Sequence, residues 1–324
     1  TAYNSLYAAK NKEIFLAGNS RVERIALAHE NFQKAQSLRP SGVTNFYRQA
    51  MLYSQIENKP KPALVLFNTA CSNWENLSEK EQARRHQEKK NYIKSLYRSA
   101  SLLLNAGNGF AALEQIKKCL EQDEKTNTVD LGFKYFALGK VNFHIDDYQK
   151  ARDALLFALQ SSPAGKPVDF IYELLARTYL AMGKTDRALE AIGKVPERAR
   201  RPYYRWTEAD VLCSAGRYEH AKKVLLDVVS RDKRSRHISL LRLAKIDYTL
   251  KSWEYAAQYA KKAVAFFREK WGNAYYEGLF WQALCTFKSG RVKESESLLI
   301  ELEDQCRFFP KLDRLATMIR GTAK

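Results

Sequence analysis

A small side chain returns along this sequence at intervals long enough for two helices and a turn, and that return constrains the fold more than any other feature. Ala28, Ala63, Ala112, Ala151, Ala188, Ala221, Ala256 and Ser295 follow one another at spacings of 35, 49, 39, 37, 33, 35 and 39 residues. A second small residue stands twelve positions before most of them, at Ala100, Gly139, Ala176, Ala209, Ala244 and Ala283, and a glycine seven positions beyond that at Gly107, Gly183, Gly216 and Gly290. Apolar residues at three- and four-residue spacing flank each glycine, which predicts helix on both sides. A glycine between two such stretches supplies the left-handed residue that ends one helix and lets the chain reverse. Each period therefore reads as a hairpin, with the small residues placed where its two backbones approach. One hairpin cannot bury its own apolar face, so a run of them predicts a stacked array.

The clearest copy is Leu138-Gly139-Lys140-Val141-Asn142-Phe143, then Asp147-Tyr148-Gln149-Lys150-Ala151, then Leu155, Ala158 and Pro163. Gly216-Arg217-Tyr218-Glu219-His220-Ala221, Ser252-Trp253 before Ala256, and Phe32, Ala35 and Pro40 fit the same pattern. This pattern resembles the tetratricopeptide repeat family, whose unit is about 34 residues. The resemblance covers nearly the whole chain and implies an all-α, right-handed superhelical solenoid of about eight helix-turn-helix repeats over residues 1–324, closed by a capping helix over 306–324. It departs from the family in spacing, most periods being longer than that unit. The widest gap, from Ala63 to Ala112, holds Ser78 and Glu81 in a capping-box pattern, which predicts a long helix running into the third hairpin. Leu312, Leu315, Ala316 and Ile319 predict one apolar face on the last helix.

Chemistry is sparse. The five histidines are scattered, no phosphate-cradling glycine loop or nucleophile elbow occurs, and Cys71, Cys119, Cys213, Cys285 and Cys306 lie far apart in apolar patterns. The expectation is no catalytic site, no metal and no cofactor. The cysteines read as reduced core thiols and favour a cytoplasmic setting. The chain opens on Thr1-Ala2-Tyr3 without an initiator methionine, which reads as a fragment or processed product and leaves an upstream targeting segment open. No apolar run approaches the roughly 20 residues a membrane span requires.

What remains is a binding surface. In the family the first helix of each hairpin lines a concave groove. Carried onto this chain, the implied groove residues are Lys94, Tyr97 and Arg98; Phe133, Phe136 and Lys140; Phe170, Glu173 and Arg177; Tyr203, Trp206 and Asp210; Arg242, Lys245 and Tyr248; and Phe280, Trp281 and Phe287. Aromatic anchors beside cations suit an acidic or amphipathic peptide. Lys94 and Arg98 also have the Lys-x-x-x-Arg spacing of a carboxylate clamp, although Gln49 stands where the clamp needs asparagine. If Tyr203 and Trp206 only line a groove, replacing both by alanine is expected to leave melting nearly unchanged.

The formal net charge is +18, a field that favours acidic partners. Residues Gly193 to Lys245 carry 14 basic and 6 acidic side chains. Arg198, Arg200, Arg201, Lys233, Arg234 and Arg236 fall in two connectors and form a basic edge. The reading is a scaffold or adaptor that holds a peptide or partner protein. Two alternatives are a nucleic-acid-binding or regulatory module using the basic edge, and a self-assembling scaffold.

Overall fold

The computed structural model describes residues 20–163, 165–197 and 200–321. Those residues form seventeen α-helices and no strand. The chain packs as two compact units divided between Leu174 and Leu175.

The first unit holds α1 (Arg21–Leu38), α2 (Thr44–Met51) continued by a π-helical turn (Leu52–Ile56), α3 (Pro60–Glu75), a short α4 (Glu79–Arg84), α5 (His86–Asn105), α6 (Gly109–Gln122), α7 (Leu131–His144) and α8 (Tyr148–Ser161). The division falls inside α9 (Asp169–Ala181). The second unit continues with α10 (Thr185–Gly193), α11 (Pro202–Ser214), α12 (Tyr218–Arg231), α13 (Arg236–Thr249), α14 (Trp253–Trp271), α15 (Tyr276–Lys288), α16 (Val292–Gln305) and α17 (Leu312–Gly321). Helices pair in sequence as hairpins: α2–α3, α5–α6, α7–α8, α11–α12, α13–α14 and α15–α16. Ala28 lies on α1, and residues 1–19, where the first helix of that period would fall, lie outside the described residues.

The recurring small residues are the contacts that set this packing. Ala28 is 2% exposed and the other seven, from Ala63 to Ser295, are fully buried. At Gly139 a side chain could not be added without displacement, because a Cβ there would stand 2.7 Å from Leu155 Cγ and 3.3 Å from the Ala151 carbonyl oxygen. Ser295 shows what the position tolerates: its hydroxyl donates to the Ala283 carbonyl oxygen at 2.8 Å, across its own hairpin. Around these contacts, larger residues fill the core. Trp74 stacks on Tyr92 beside Ile93, Leu96 and Ile116 in the first unit, and Leu225, Leu243, Leu279, Leu299 and Leu302 are buried in the second.

The turns share one geometry whether or not glycine occupies it. Gly107, Gly183, Gly216 and Gly290 have φ between +70° and +86°, and Asp146 and Lys251 take φ of +62° and +60° at the same position of their hairpins. In all six, the next amide donates to the carbonyl five residues back, as Arg217 does to Leu212 and Ser252 to Asp247, both at 2.8 Å. In the second hairpin Asn58 takes the place at φ +57°, and the π turn widens the corresponding bond, so that Lys59 donates to Tyr53 six residues back. A side chain in this region costs about 1–2 kcal/mol, part of which is returned by the smaller entropy of the unfolded chain. Lys251→Gly is therefore expected to stabilise the protein by about 0.5–1 kcal/mol in urea denaturation. Gly216→Ala, whose added Cβ meets nothing within 4 Å, is expected to cost a similar amount through φ alone. Equal stability of all three chains would contradict the shared-turn account.

Two expectations need correction. The helix predicted to run unbroken from Ser78 is interrupted at Arg85, where the backbone leaves helical geometry (φ −100°, ψ 24°) and α4 ends. Arg85 is held there by its guanidinium, which donates to the Ser41 carbonyl at 3.2 Å. The capping helix begins at Leu312 rather than near Cys306; Leu312, Leu315 and Ile319 are buried as expected and Ala316 packs partly buried beside them, while residues 322–324 lie outside the described part. The Arg39–Thr44 connector is also tied to later helices. Asn73 on α3 donates to the Pro40 and Gly42 carbonyls, both at 2.8 Å, Glu88 on α5 accepts the Val43 amide at 2.7 Å, and Asn91 donates to Thr44.

Candidate functional site

In the first unit the implied groove residues lie on α5 and α7. Lys94 and Arg98, one helical turn apart, are half-buried and make no ion pair or hydrogen bond among the described residues, and Lys140 on α7 is alike in both respects. Phe133 is 41% exposed and stacks on Phe170, against which Phe136 also packs edge-on at 4.6 Å. Tyr97 belongs to the core instead: it packs against the cluster around Ile93 and Leu96, and burial pushes its phenol up from its ordinary range. The clamp's third partner is occupied, since Gln49 is buried and bonded to Gln36 at 2.7 Å and to His29 Nδ1 at 3.0 Å. Glu173 is buried on α9 and Arg177 exposed.

In the second unit the implied groove residues form a ladder between successive first helices. Arg242 on α13 makes a forked pair with Asp210 on α11, at 3.0 Å through both Nε and an amino nitrogen, and lies over the Trp206 ring. Trp206 Nε1 donates to Ser239 Oγ at 2.8 Å, and its ring packs partly buried beside Ala209 and Leu212. Lys245 pairs with Glu277 on α15 at 2.7 Å and lies over Trp281. Tyr248 sits between Trp253 and Trp281, and Phe280 packs against Trp281 and Phe309. Phe287 is partly buried in the terminal core. Of this set Tyr203 is the exposed aromatic, at 38%, in contact with Tyr204. Trp206 thus joins two helices, so its loss would lower melting, contrary to the sequence-based expectation.

The two basic connectors of the second unit converge. Arg200, Lys233 and Arg234 line one cavity of about 1110 Å³ together with Arg205, Lys223 and Arg231, which sequence reasoning did not select. The signal was available for two of these, since Lys223, Asp227 and Arg231 fall at four-residue steps on α12. Arg200 pairs with Glu208 at 2.6 Å, and Arg205 with Glu197 and Glu208 at 2.9 and 3.1 Å. Hydrogen bonding from Arg205, with the charges of Arg205, Arg200 and Arg231 around it, holds the Glu197 carboxyl below its usual range. Arg201 is exposed at the start of α11, outside the cavity lining, and Arg236 lies over Phe266. Arg198 lies outside the described residues.

No feature of the sequence pointed to the buried pair in the first unit. Lys134 on α7 and Asp123 at the end of α6 are 1% and 0% exposed, with Nζ 2.8 Å from Oδ2. Burial opposes ionisation of Asp123, but the Lys134 ammonium, the Thr126 hydroxyl and the Val129 and Thr128 amides outweigh it and hold the carboxyl below its ordinary range. Four of the five thiols are unreactive in character: burial pushes Cys71, Cys119 and Cys285 up to about 12 and Cys213 to about 11. Among the described residues no three His, Cys, Asp or Glu side chains are grouped to hold a metal, and no helix is long and apolar enough to cross a membrane.

Hairpins of this length, stacked through small residues, define an all-α helical-repeat array. No protein-family model and no curated protein matches the sequence. Solved structures do match. A tetratricopeptide repeat protein from Parabacteroides merdae is similar over 86% of this chain and 98% of its own, with a TM-score of 0.62 at 11% identity. The apo form of RapI matches 85% of this chain and 79% of its own, with a TM-score of 0.60 at 16% identity. Yeast Tom70 matches 93% of this chain, which spans 59% of that structure, with a TM-score of 0.59 at 15% identity. The chain has the tetratricopeptide-repeat fold.

Proposed function

We infer that the chain is a non-catalytic scaffold that holds a peptide segment of a partner protein against the first helices of its hairpins. The observation that carries this reading is a charge imbalance on those helices in the first unit. Lys94, Arg98 and Lys140 have no partner among the described residues, whereas Arg242 and Lys245 of the second unit are paired within the fold. A half-buried cation without a counter-charge is stabilised by an acidic ligand, and Phe133, two turns before Lys140 on α7, offers an apolar anchor at low entropic cost. Tyr203 offers the same on the second unit.

Crosslinking tests it. The chain carrying a benzoyl-phenylalanine at Phe133 is expected to trap a partner protein from native extract on illumination. Trapping is expected to fall at least about tenfold when Arg98→Glu and Lys140→Glu are added, with melting unchanged. Equal trapping with and without the charge reversals, or turnover of a small molecule by the purified chain, would refute the reading.

A further inference from the structure

We propose that the cavity between the two basic connectors of the second unit is a separate docking site for an acidic, apolar-anchored peptide. Each carboxylate on its lining accepts at least one bond from within the protein, although Asp232 Oδ2 is buried without a partner. Glu197 accepts from Arg205, Asp227 pairs with Arg231 at 2.8 Å, and Asp232 accepts the Arg234 and Ser235 amides at 2.8 and 2.9 Å. Three exposed cations on the same lining, Lys223, Lys233 and Arg234, have no side-chain partner among the described residues. The cavity therefore presents three cations without a counter-charge, against one carboxylate, Asp232, that no cation pairs, around an aliphatic surface formed by Pro202, Val224 and Val228.

Size and chemistry select the occupant. At about 1110 Å³ the cavity lies at or above the upper end of the roughly 300–1,000 Å³ range of small-molecule sites. A stretch of several residues fits that space better than a metabolite does. A single-stranded nucleic acid would need rings to stack on, and among the described residues no aromatic lines the cavity. A continuous phosphate backbone would also have to run past Glu197, Asp227 and Asp232, which discrete acidic side chains can avoid. A peptide avoids both objections, since its acidic side chains are discrete and can be seated beside the three cations while an aliphatic side chain rests on Val224 and Pro202. This site lies on the connectors and the α12 face, so it is independent of the helix-face reading above.

The test is fluorescence anisotropy with a labelled peptide of Glu-Leu-Asp-Glu repeats, its leucine-to-serine counterpart, and a labelled single-stranded DNA oligonucleotide. The acidic, leucine-containing peptide is expected to bind the chain. Binding is expected to weaken at least about tenfold in the triple variant Lys223→Glu, Lys233→Glu, Arg234→Glu, and measurably with the serine peptide. The replaced side chains are exposed, so thermal melting is expected to match the parent; a second variant with glutamine at the three positions separates lost attraction from introduced repulsion. No binding, or binding unchanged in the triple variant, overturns the proposal. So does tighter binding of the oligonucleotide with affinity falling by orders of magnitude between ~50 and ~200 mM salt. Loss of peptide binding only in the Arg98→Glu, Lys140→Glu variant would move the peptide to the helix faces, refuting this site and leaving the proposed function standing.

Discussion

Ala188→Arg is expected to destabilise the second unit by at least about 4 kcal/mol, lowering its melting temperature by about 10 °C or more. Ala188 is fully buried on α10, at the place in the repeat that Ala151, Ala221 and Ser295 hold in theirs. A guanidinium there must either lose its hydration without a partner or force the helices apart, and both are costly. Ala188→Ser is the matched control. Ser295 occupies the equivalent place on α16 and satisfies its hydroxyl on a carbonyl twelve residues earlier, so serine at 188 is expected to cost about 1 kcal/mol or less. Circular-dichroism melts of the two variants decide the matter. If arginine melts like the parent, the small-residue register is not the helix contact.

The second large effect is at Lys134. Replacing it by methionine keeps volume but strands the Asp123 carboxylate, fully buried, without its cation, and is expected to cost about 3–5 kcal/mol at neutral pH. The pH dependence has a definite sign. Asp123 is held below its ordinary range in the folded protein, so its contribution is present above the unfolded carboxylate value of about 3.9 and is lost as pH falls through the folded value. In Lys134→Met the same carboxyl is driven upward by burial and protonates more readily. The gap between parent and variant is therefore expected to be widest near pH 7 and to narrow below about pH 4. Urea denaturation at both pH values reads it directly; a gap that is small or constant with pH would mean the pair contributes little.

The array was legible because its signals are local and repeated. Alanine at 151, 188 and 221, and glycine at 107, 183 and 216, report backbone contact and backbone reversal wherever they occur, and no partner need be known to read them. In the hairpins without glycine the turn was legible beside Asp147-Tyr148 and Ser252-Trp253, but the left-handed residues themselves, Asp146, Lys251 and Asn58, were not, since they tolerate that region without advertising it. The surface was harder, because exposure depends on what a neighbouring hairpin supplies. Arg242 and Lys245 look free in sequence, yet Asp210 and Glu277 stand 32 residues away, one period along, and neutralise them. Comparing equivalent positions of consecutive hairpins could have found both. The Asp123–Lys134 pair had no such regularity: it joins a helix end to the next helix through a connector unlike any other in the chain. The convergence of the basic connectors was half legible, in that their charge was evident but the contribution of α12 required its face to be known.

Assemblies in which each element touches only its neighbours peel from their ends. The Arg39–Thr44 connector departs from that behaviour, because α3 and α5 both grip it, and they belong to different periods. Strain entering at the amino-terminal side is passed through this rivet to the third hairpin before the second can detach. The second and third hairpins are consequently expected to release together rather than one after the other.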